Sequence, residues 1–220
     1  VLTGNSLLDP WKTFIRTTEI KAGQATLDVT VGGYDIDEQN SFDIELTDAE
    51  GHVIAQQKGI NLTYRGEENI RLTVQNPKLW TPETPYLYHA HIKLYSLGQL
   101  VDEISQKIGI RTVLYSREGG FQLNGVTRKL KGVCLHHDLG PLGAAINKAA
   151  LIRQIKTMKA MGCDAIRTSH NMPSQMQMDI CDSLGMMVMA ESFDMWLYPK
   201  CKNGYARFFD EWAEKDLTNL

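Results

Sequence analysis

The chain has 220 residues, 43% hydrophobic and 22% charged, an ordinary globular composition with room for one large or two modest domains. A net charge of -3 and a pI near 6.1 leave no basic footprint, which argues against nucleic acid as a partner. No apolar run approaches the roughly 18 to 20 residues of a spanning helix, so no membrane partner is expected either.

The start, Val1-Leu-Thr-Gly, has neither an initiator Met nor a signal-peptide pattern, and the chain is expected to be cut from something longer. From Trp11 to about Arg111 the periodicity is two. Leu27, Val29 and Val31 alternate with polar neighbours, as do Phe42, Ile44 and Leu46, and then Ile70, Leu72 and Val74. Each run buries one face only, as in an antiparallel sheet with its other face in water. Turn signals at Gly32-Gly33, Asp48-Ala-Glu-Gly51 and Arg65-Gly-Glu-Glu-Asn69 separate the runs. Short strands at this spacing predict an immunoglobulin-like β-sandwich without the paired cysteines of antibody domains. The proline-rich stretch Asn76 to Tyr88 reads as a rigid connection into a strand over Tyr86 to Tyr95. On that strand His89, His91 and Lys93 share a solvated face, and no third ligand accompanies the two histidines to make a metal site.

Beyond Arg111 the pattern changes, with a domain boundary expected at the polar turn Ser116-Arg-Glu-Gly-Gly120. Phe121-Gln-Leu-Asn-Gly125 reads as half of a small hairpin. The period then moves towards 3.6. Leu151, Ile152, Ile155, Met158 and Met161 make one helical face ending at Gly162, and Met176, Ile180 and Leu184 make the next, with Pro173 suited to its first turn and Gly185 to its end. The methionines are read as core. A third helix is expected within Asn203 to Leu220. The four cysteines form no C-x-x-C pair; Cys134 and Cys163 fall on expected strands, Cys181 on a helix and Cys201 in a loop, all read as buried free thiols. Such usage leaves the compartment open between cytosol, periplasm and secretion.

Lys131 to Trp196 organises the second half: strand, loop, helix, strand, helix, strand. That alternation predicts parallel βα units, in an open sheet or a (β/α)8 barrel, with ligands beyond the carboxyl ends of the strands. Leu139-Gly-Pro-Leu-Gly-Ala-Ala145 has neither a dinucleotide nor a phosphate-loop pattern. His136, Arg167, His170 and Glu191 fall at the strand ends. On an extended strand His136 and His137 would point to opposite faces, His136 sharing its face with Asp138. His136 reads as either a pocket residue or a satisfied structural one. Arg167 with His170 fits recognition of carboxylates or sugar hydroxyls, or an Arg paired to a neighbouring strand's acid. Glu191 is a candidate acid or base, or that Arg's partner.

Seven landmarks in order resemble glycoside hydrolase family 2, which contains β-galactosidases, β-glucuronidases and β-mannosidases. They are Leu79-Trp-Thr-Pro-Glu-Thr-Pro-Tyr-Leu-Tyr88, Ile108-Gly-Ile-Arg-Thr112, Phe121-Gln-Leu-Asn-Gly125, Lys131-Gly-Val-Cys-Leu-His136, Met158-Lys-Ala-Met-Gly162, Ala165-Ile-Arg-Thr-Ser-His-Asn171 and Cys181-Asp-Ser-Leu-Gly-Met-Met-Val188. The resemblance implies a linker from a preceding sugar-binding domain over residues 1–10, the immunoglobulin-like sandwich over 11–115, and the first three βα units of an incomplete (β/α)8 TIM barrel over 116–220.

It further implies that His136 and His170 bind the sugar and that Arg167 and Glu191 support the site. Met189-Ala-Glu-Ser-Phe-Asp-Met-Trp196 is similar to a variant frequent among β-galactosidase-like members, so the expected partner is a β-galactoside, with a homo-oligomer left open. Asp164 and Ala190 depart from the family pattern, which has Asn and Asp there. The Glu-Thr-His extension that helps some β-galactosidases bind magnesium is absent; no cofactor is expected in this chain, and magnesium or sodium is left to a complete enzyme. The family's acid/base Glu follows an Asn, and no Asn-Glu dipeptide occurs here. Neither the acid/base nor the nucleophile is expected within the chain.

Overall fold

A computed structural model describes residues 6–62 and 66–218. The chain divides into two compact units, Val1–Arg128 and Lys129–Leu220. In the first, seven strands run in chain order: β1 (Leu7–Lys21), β2 (Gln24–Tyr34), β3 (Asn40–Thr47), β4 (Val53–Asn61), β5 (Glu67–Gln75), β6 (Tyr88–Ser96) and β7 (Gln99–Ile108). They form two antiparallel sheets, β1-β2-β5 and β4-β3-β6-β7, the layout of an immunoglobulin-like sandwich.

The alternation seen in the sequence is the core. Leu27, Val29, Phe42, Ile44, Leu46, Ile92 and Leu94 are all excluded from water between the sheets. Complete burial of each such side chain is worth about 1.5–3 kcal/mol. Sequence alternation does not mark β4 and β7, the edges of the four-stranded sheet. They carry Gln56, Gln57 and Lys58, and Asp102, Glu103 and Lys107, the polar edges that discourage pairing with another chain. His91 Nδ1 lies 2.9 Å from Ser105 Oγ on the sheet's outer face. Of the residues expected to form a linker, 7–10 belong to β1, Leu7 to Asp9 pairing with Tyr34 to Gly32; residues 1–5 lie outside the described residues.

The proline-rich connection is anchored at three points. The Trp80 N–H donates to the Ile110 carbonyl (2.9 Å), and the Trp80 ring lies so near Gly109 that a Cβ there would come within 2.8 Å of it. The buried Tyr88 hydroxyl accepts the Lys78 N–H at 2.7 Å, a tyrosine corner at the start of β6. Burial pushes the Tyr88 phenol above its ordinary value. Third, Asn124 donates from its amide to the Trp80 carbonyl (3.1 Å) and accepts from the Thr112 N–H (3.0 Å).

Asn124 and Gly125 both have positive φ, 53° and 76°, as a two-residue type I′ hairpin turn requires. The turn joins β9 (Gly120–Leu123) to β10 (Val126–Thr127), and β9 also pairs with β8 (Val113–Ser116). This meander belongs to the first compact unit. The expected boundary at 115/116 falls inside β8, because Asn124 ties the meander back to Trp80.

In the second unit β11 (Gly132–Leu135), β12 (Ala165–Thr168) and β13 (Met187–Ala190) form a parallel sheet in that order. The connections carry α1 (Lys148–Ala160) and α2 (Gln175–Leu184); α3 (Phe209–Thr218) follows a short 3-10 turn, Tyr205–Phe208. Leu151, Ile155, Ile166, Ile180, Cys181 and Met186 make the core between sheet and helices. Gly132 is required by close approach, since a Cβ there would lie 2.2 Å from the Ala165 carbonyl oxygen on β12. Asp164, where the family pattern has Asn, supplies the acceptor its place requires: Oδ1 takes the Lys131 N–H at 2.8 Å.

Several expectations are corrected here. Asn147 caps α1 and Ser174 caps α2, each accepting a main-chain N–H, so Pro173 precedes the helix and is not in its first turn. Gly185, at φ 74°, ends α2 as expected. Met161 and Met176 are exposed, because α1 already turns off its face at Met161 and Met176 lies in the first turn of α2 beyond the sheet. Only Cys181 of the four thiols is fully buried; Cys134 and Cys201 are exposed, and Cys163 precedes β12. All four are free. Among the described residues no helix is long and apolar enough to cross a membrane.

Tyr88→Phe is expected to lower the stability of the sandwich by about 1–2 kcal/mol, since the Lys78 N–H loses its acceptor while the ring still fills its site. Urea unfolding followed by far-UV circular dichroism checks this; an unchanged midpoint contradicts the corner's role.

Candidate functional site

Strand alternation sorts the second unit's residues. Ile166 and Val188 face the helices, and Leu135 packs in the same core, so the intervening residues of the paired strands face the other way. Cys134, Arg167 and Met189 occupy one register row. Glu191, two residues past Met189, returns to that face and meets Arg167.

The Arg167 guanidinium grips Glu191 Oε1 through Nε and Nη2, while Glu191 Oε2 lies 3.1 Å from His170 Nδ1. The Glu191 N–H donates to Thr168 Oγ1 at 3.2 Å, and Thr168 is buried. Both carboxylate oxygens and the main-chain N–H of Glu191 are therefore engaged. A carboxylate only accepts, so His170 carries a proton on Nδ1, and in its neutral form Nε2 is left as an acceptor. The ring of His136 stands edge-on to that of His170, centroids 5.3 Å apart, and His136 makes no hydrogen bond among the described residues.

His136 and His170 line one cleft of about 690 Å³, together with Asp138, Asn171, Gln177 and Asp194. The opposite-face expectation for His136 and His137 is corrected: β11 ends at Leu135 and His137 has φ 54°, so the alternation stops and both histidines reach the cleft. Asp194, at the far side, is ion-paired with Lys200, whose hydrogen bond holds its carboxyl below the usual range. No Arg or Lys is among the described residues lining this cleft. Beside it lies a second cleft of about 700 Å³ walled by Phe193, Tyr205, Phe208 and Trp212.

The sequence pattern brought out His136, Arg167, His170 and Glu191, and the structure gathers all four at the ends of β11, β12 and β13. It did not bring out His137, Asn171 or Tyr205. Asn171 ends a quoted landmark and could have been taken with it; nothing local marks Tyr205. Among the described residues, the one group of three side chains close enough to hold a metal ion is Asp48, Glu50 and His52, in the β3–β4 turn of the first unit.

Residues 11–111 match the family model of Glycosyl hydrolases family 2, and residues 115–203 match that of Glycosyl hydrolases family 2, TIM barrel domain. The chain belongs to glycosyl hydrolase family 2. Its relatives in that family include a β-galactosidase of Bacteroides ovatus, 40% identical over 99% of this chain and 26% of the relative. A β-glucuronidase of Bacteroides fragilis is 30% identical over 66% of this chain and 21% of its own length. Among solved structures, a family 2 member from Bacteroides cellulosilyticus superposes with a TM-score of 0.91 at 36% identity, over 99% of this chain and 29% of that one. A β-glycosidase from Bacteroides vulgatus superposes at 0.87 with 29% identity, over all of this chain and 28% of that one. The chain thus spans about a quarter of the length of these family 2 relatives. The sandwich strands lie within the residues of the first model or at its edge, and the TIM-barrel model takes in most of the β8–β10 meander as well as the greater part of the second unit.

One titrating group next to the site offers a direct probe. Arg167 Nη1 reaches Cys134 Sγ at 3.5 Å; this guanidinium, and then the Ser169 hydroxyl, holds the Cys134 thiol below its ordinary value, whereas burial pushes Cys181 up to about 12. A lowered pKa means thiolate, the reactive form, at lower pH. In this chain the rate of iodoacetamide alkylation at Cys134, followed by peptide mass spectrometry, is expected to rise with a midpoint below that of a free thiol, with Cys181 unreacted. Arg167→Ala is expected to move the Cys134 midpoint upward.

Proposed function

We propose that the chain is the sugar-cleft part of a longer retaining β-glycosidase that hydrolyses terminal β-galactosides. The observation that carries this reading is the pairing of two imidazoles, His136 and His170, on one cleft at the carboxyl ends of parallel strands, with His170 oriented from behind by Glu191. A histidine held by a carboxylate presents its second nitrogen in a fixed direction, which suits a sugar hydroxyl better than a diffusing ion. Glu191 and Arg167 act in this reading as supports: the guanidinium holds Oε1 of Glu191 while Oε2 faces the His170 imidazole that it orients.

A neutral sugar is favoured over a uronic acid by the same geometry. Recognition of a glucuronate carboxylate calls for a cation, and Arg167 is committed to Glu191 while Lys200 is committed to Asp194. The described lining of the cleft offers hydroxyl-binding groups instead: imidazoles, Asn171 and Gln177.

The chemistry assigned to the longer enzyme is a double displacement. One carboxylic acid protonates the glycosidic oxygen while a second carboxylate, about 5–5.5 Å away, attacks the anomeric carbon; water then releases the sugar with its configuration retained. Both groups are placed outside this chain, following the absence of any Asn-Glu dipeptide in it. The residues described here bind and orient the sugar.

The test compares this chain with a longer polypeptide extended through the remaining barrel strands, on an aryl β-galactoside. The longer protein is expected to turn over and this chain alone is not; equal turnover by both would refute the placement of the catalytic pair. In the longer protein His170→Ala is expected to lower kcat/KM by the equivalent of about 2–4 kcal/mol, the range for a lost transition-state hydrogen bond. An unchanged kcat/KM would refute the sugar-cleft reading. A preference for the aryl β-glucuronide over the β-galactoside would overturn the sugar assignment alone.

A further inference from the structure

The three segments that follow β11, β12 and β13 are joined by hydrogen bonds that involve none of Arg167, His170 or Glu191. The Tyr205 hydroxyl accepts the N–H of Asp194 at 2.9 Å and that of Met195 at 3.2 Å, and it donates to Asn171 Oδ1 at 3.4 Å. The main-chain carbonyl of Asn171 in turn lies 3.2 Å from His137 Nε2. A carbonyl only accepts, so His137 carries its proton on Nε2. His137 follows β11, Asn171 follows β12, and Asp194 follows β13. One chain of hydrogen bonds therefore runs across all three strand ends, with the Tyr205 hydroxyl as its branch point.

His137, Asn171 and Asp194 themselves line the cleft, His137 next to His136, Asn171 next to His170, and Asp194 on the loop that follows Glu191. The turn that bears Tyr205 is itself closely seated. Ala206 is buried, and a Cβ on Gly204 would come within 2.5 Å of Met195 Sδ, so the turn lies directly on the loop that Tyr205 holds. The aromatic ring of Tyr205 does separate work, as a wall of the second cleft with Phe193 and Trp212.

We propose that Tyr205 is a positioning residue for the sugar cleft. Its hydroxyl sets the separation between the loop carrying His170 and the loop carrying Glu191 and Asp194, and so fixes the cleft's width. This rests on the reading of that cleft as the sugar site. Tyr205 is itself exposed, so the two main-chain N–H groups freed by loss of the hydroxyl can bond to water, and the fold is expected to tolerate that loss. Sugar alignment is less tolerant, since misplacement by about 1 Å can cost on the order of a hundredfold in rate.

The experiment uses the longer enzyme and Tyr205→Phe, which keeps the ring and removes only the hydroxyl. On an aryl β-galactoside kcat/KM is expected to fall about ten- to a hundredfold, with galactose binding weakened in titration calorimetry and the thermal midpoint within about 2 °C of the parent. A wild-type kcat/KM in Tyr205→Phe, unchanged galactose binding, or a loss matched by a large fall in thermal midpoint would each overturn the proposal. His170→Ala, run alongside, tells the two failures apart: activity lost there but intact in Tyr205→Phe removes the role of Tyr205 and leaves the sugar site standing, whereas full activity in His170→Ala removes both.

Discussion

The carboxylate of Glu191 decides where the other polar groups at these strand ends can lie. It is reached by a guanidinium from one neighbouring residue row and by an imidazole from the loop beyond it, and each takes a different oxygen. Arg167 is permanently charged and, with side chains only partly exposed on both partners, the pair is more than a loose surface contact. Removing either partner would leave the other half-desolvated, which is why such pairs hold geometry even where their net contribution to stability is small. The parallel register that sets Cys134, Arg167 and Met189 in one row makes the pairing available, and Gly132 makes the register available by letting β11 lie against the Ala165 carbonyl.

The sandwich obeys a different constraint. Its core follows from alternation alone, but its long connection from β5 to β6 has no ladder to bond with. Trp80, Tyr88 and Asn124 replace that ladder with three specific contacts, each of which engages a main-chain group of the connection. The prolines of this stretch reduce the number of main-chain donors that need a partner, so rigidity and satisfied hydrogen bonding come from the same residues.

Much of this was legible in the sequence where periodicity reports burial. Leu27, Val29, Phe42, Ile44, Ile92 and Leu94 declared the sandwich, and Ile155 and Ile180 declared the helices that cover the parallel sheet. Where burial is not periodic the reading failed. Met161 and Met176 sit in helical phase yet beyond the end of the face they seemed to extend, and Cys134 alternates correctly but on the side of the sheet away from the helices. His137 escaped because a single residue of positive φ ends the alternation that the reading assumed. The four strand-end residues were found because polar groups closing apolar runs are rare enough to notice. Tyr205 was invisible, since two of its three bonds are to main-chain N–H groups and the third is to a side chain 34 residues away.

The proton held on His170 Nδ1 has a consequence for selectivity. With that nitrogen turned to Glu191, the other edge of the ring in its neutral form offers a lone pair to the cleft, and a lone pair distinguishes groups by the direction of the proton and not by their size. A hydroxyl can turn its hydrogen towards it. Fluorine in the same place is of similar bulk but has only electron density to offer and meets repulsion. If the proposed sugar reading holds, the neutral His170 ring would sort between a sugar and its deoxyfluoro analogue, two molecules that a cleft defined by shape alone would treat as the same.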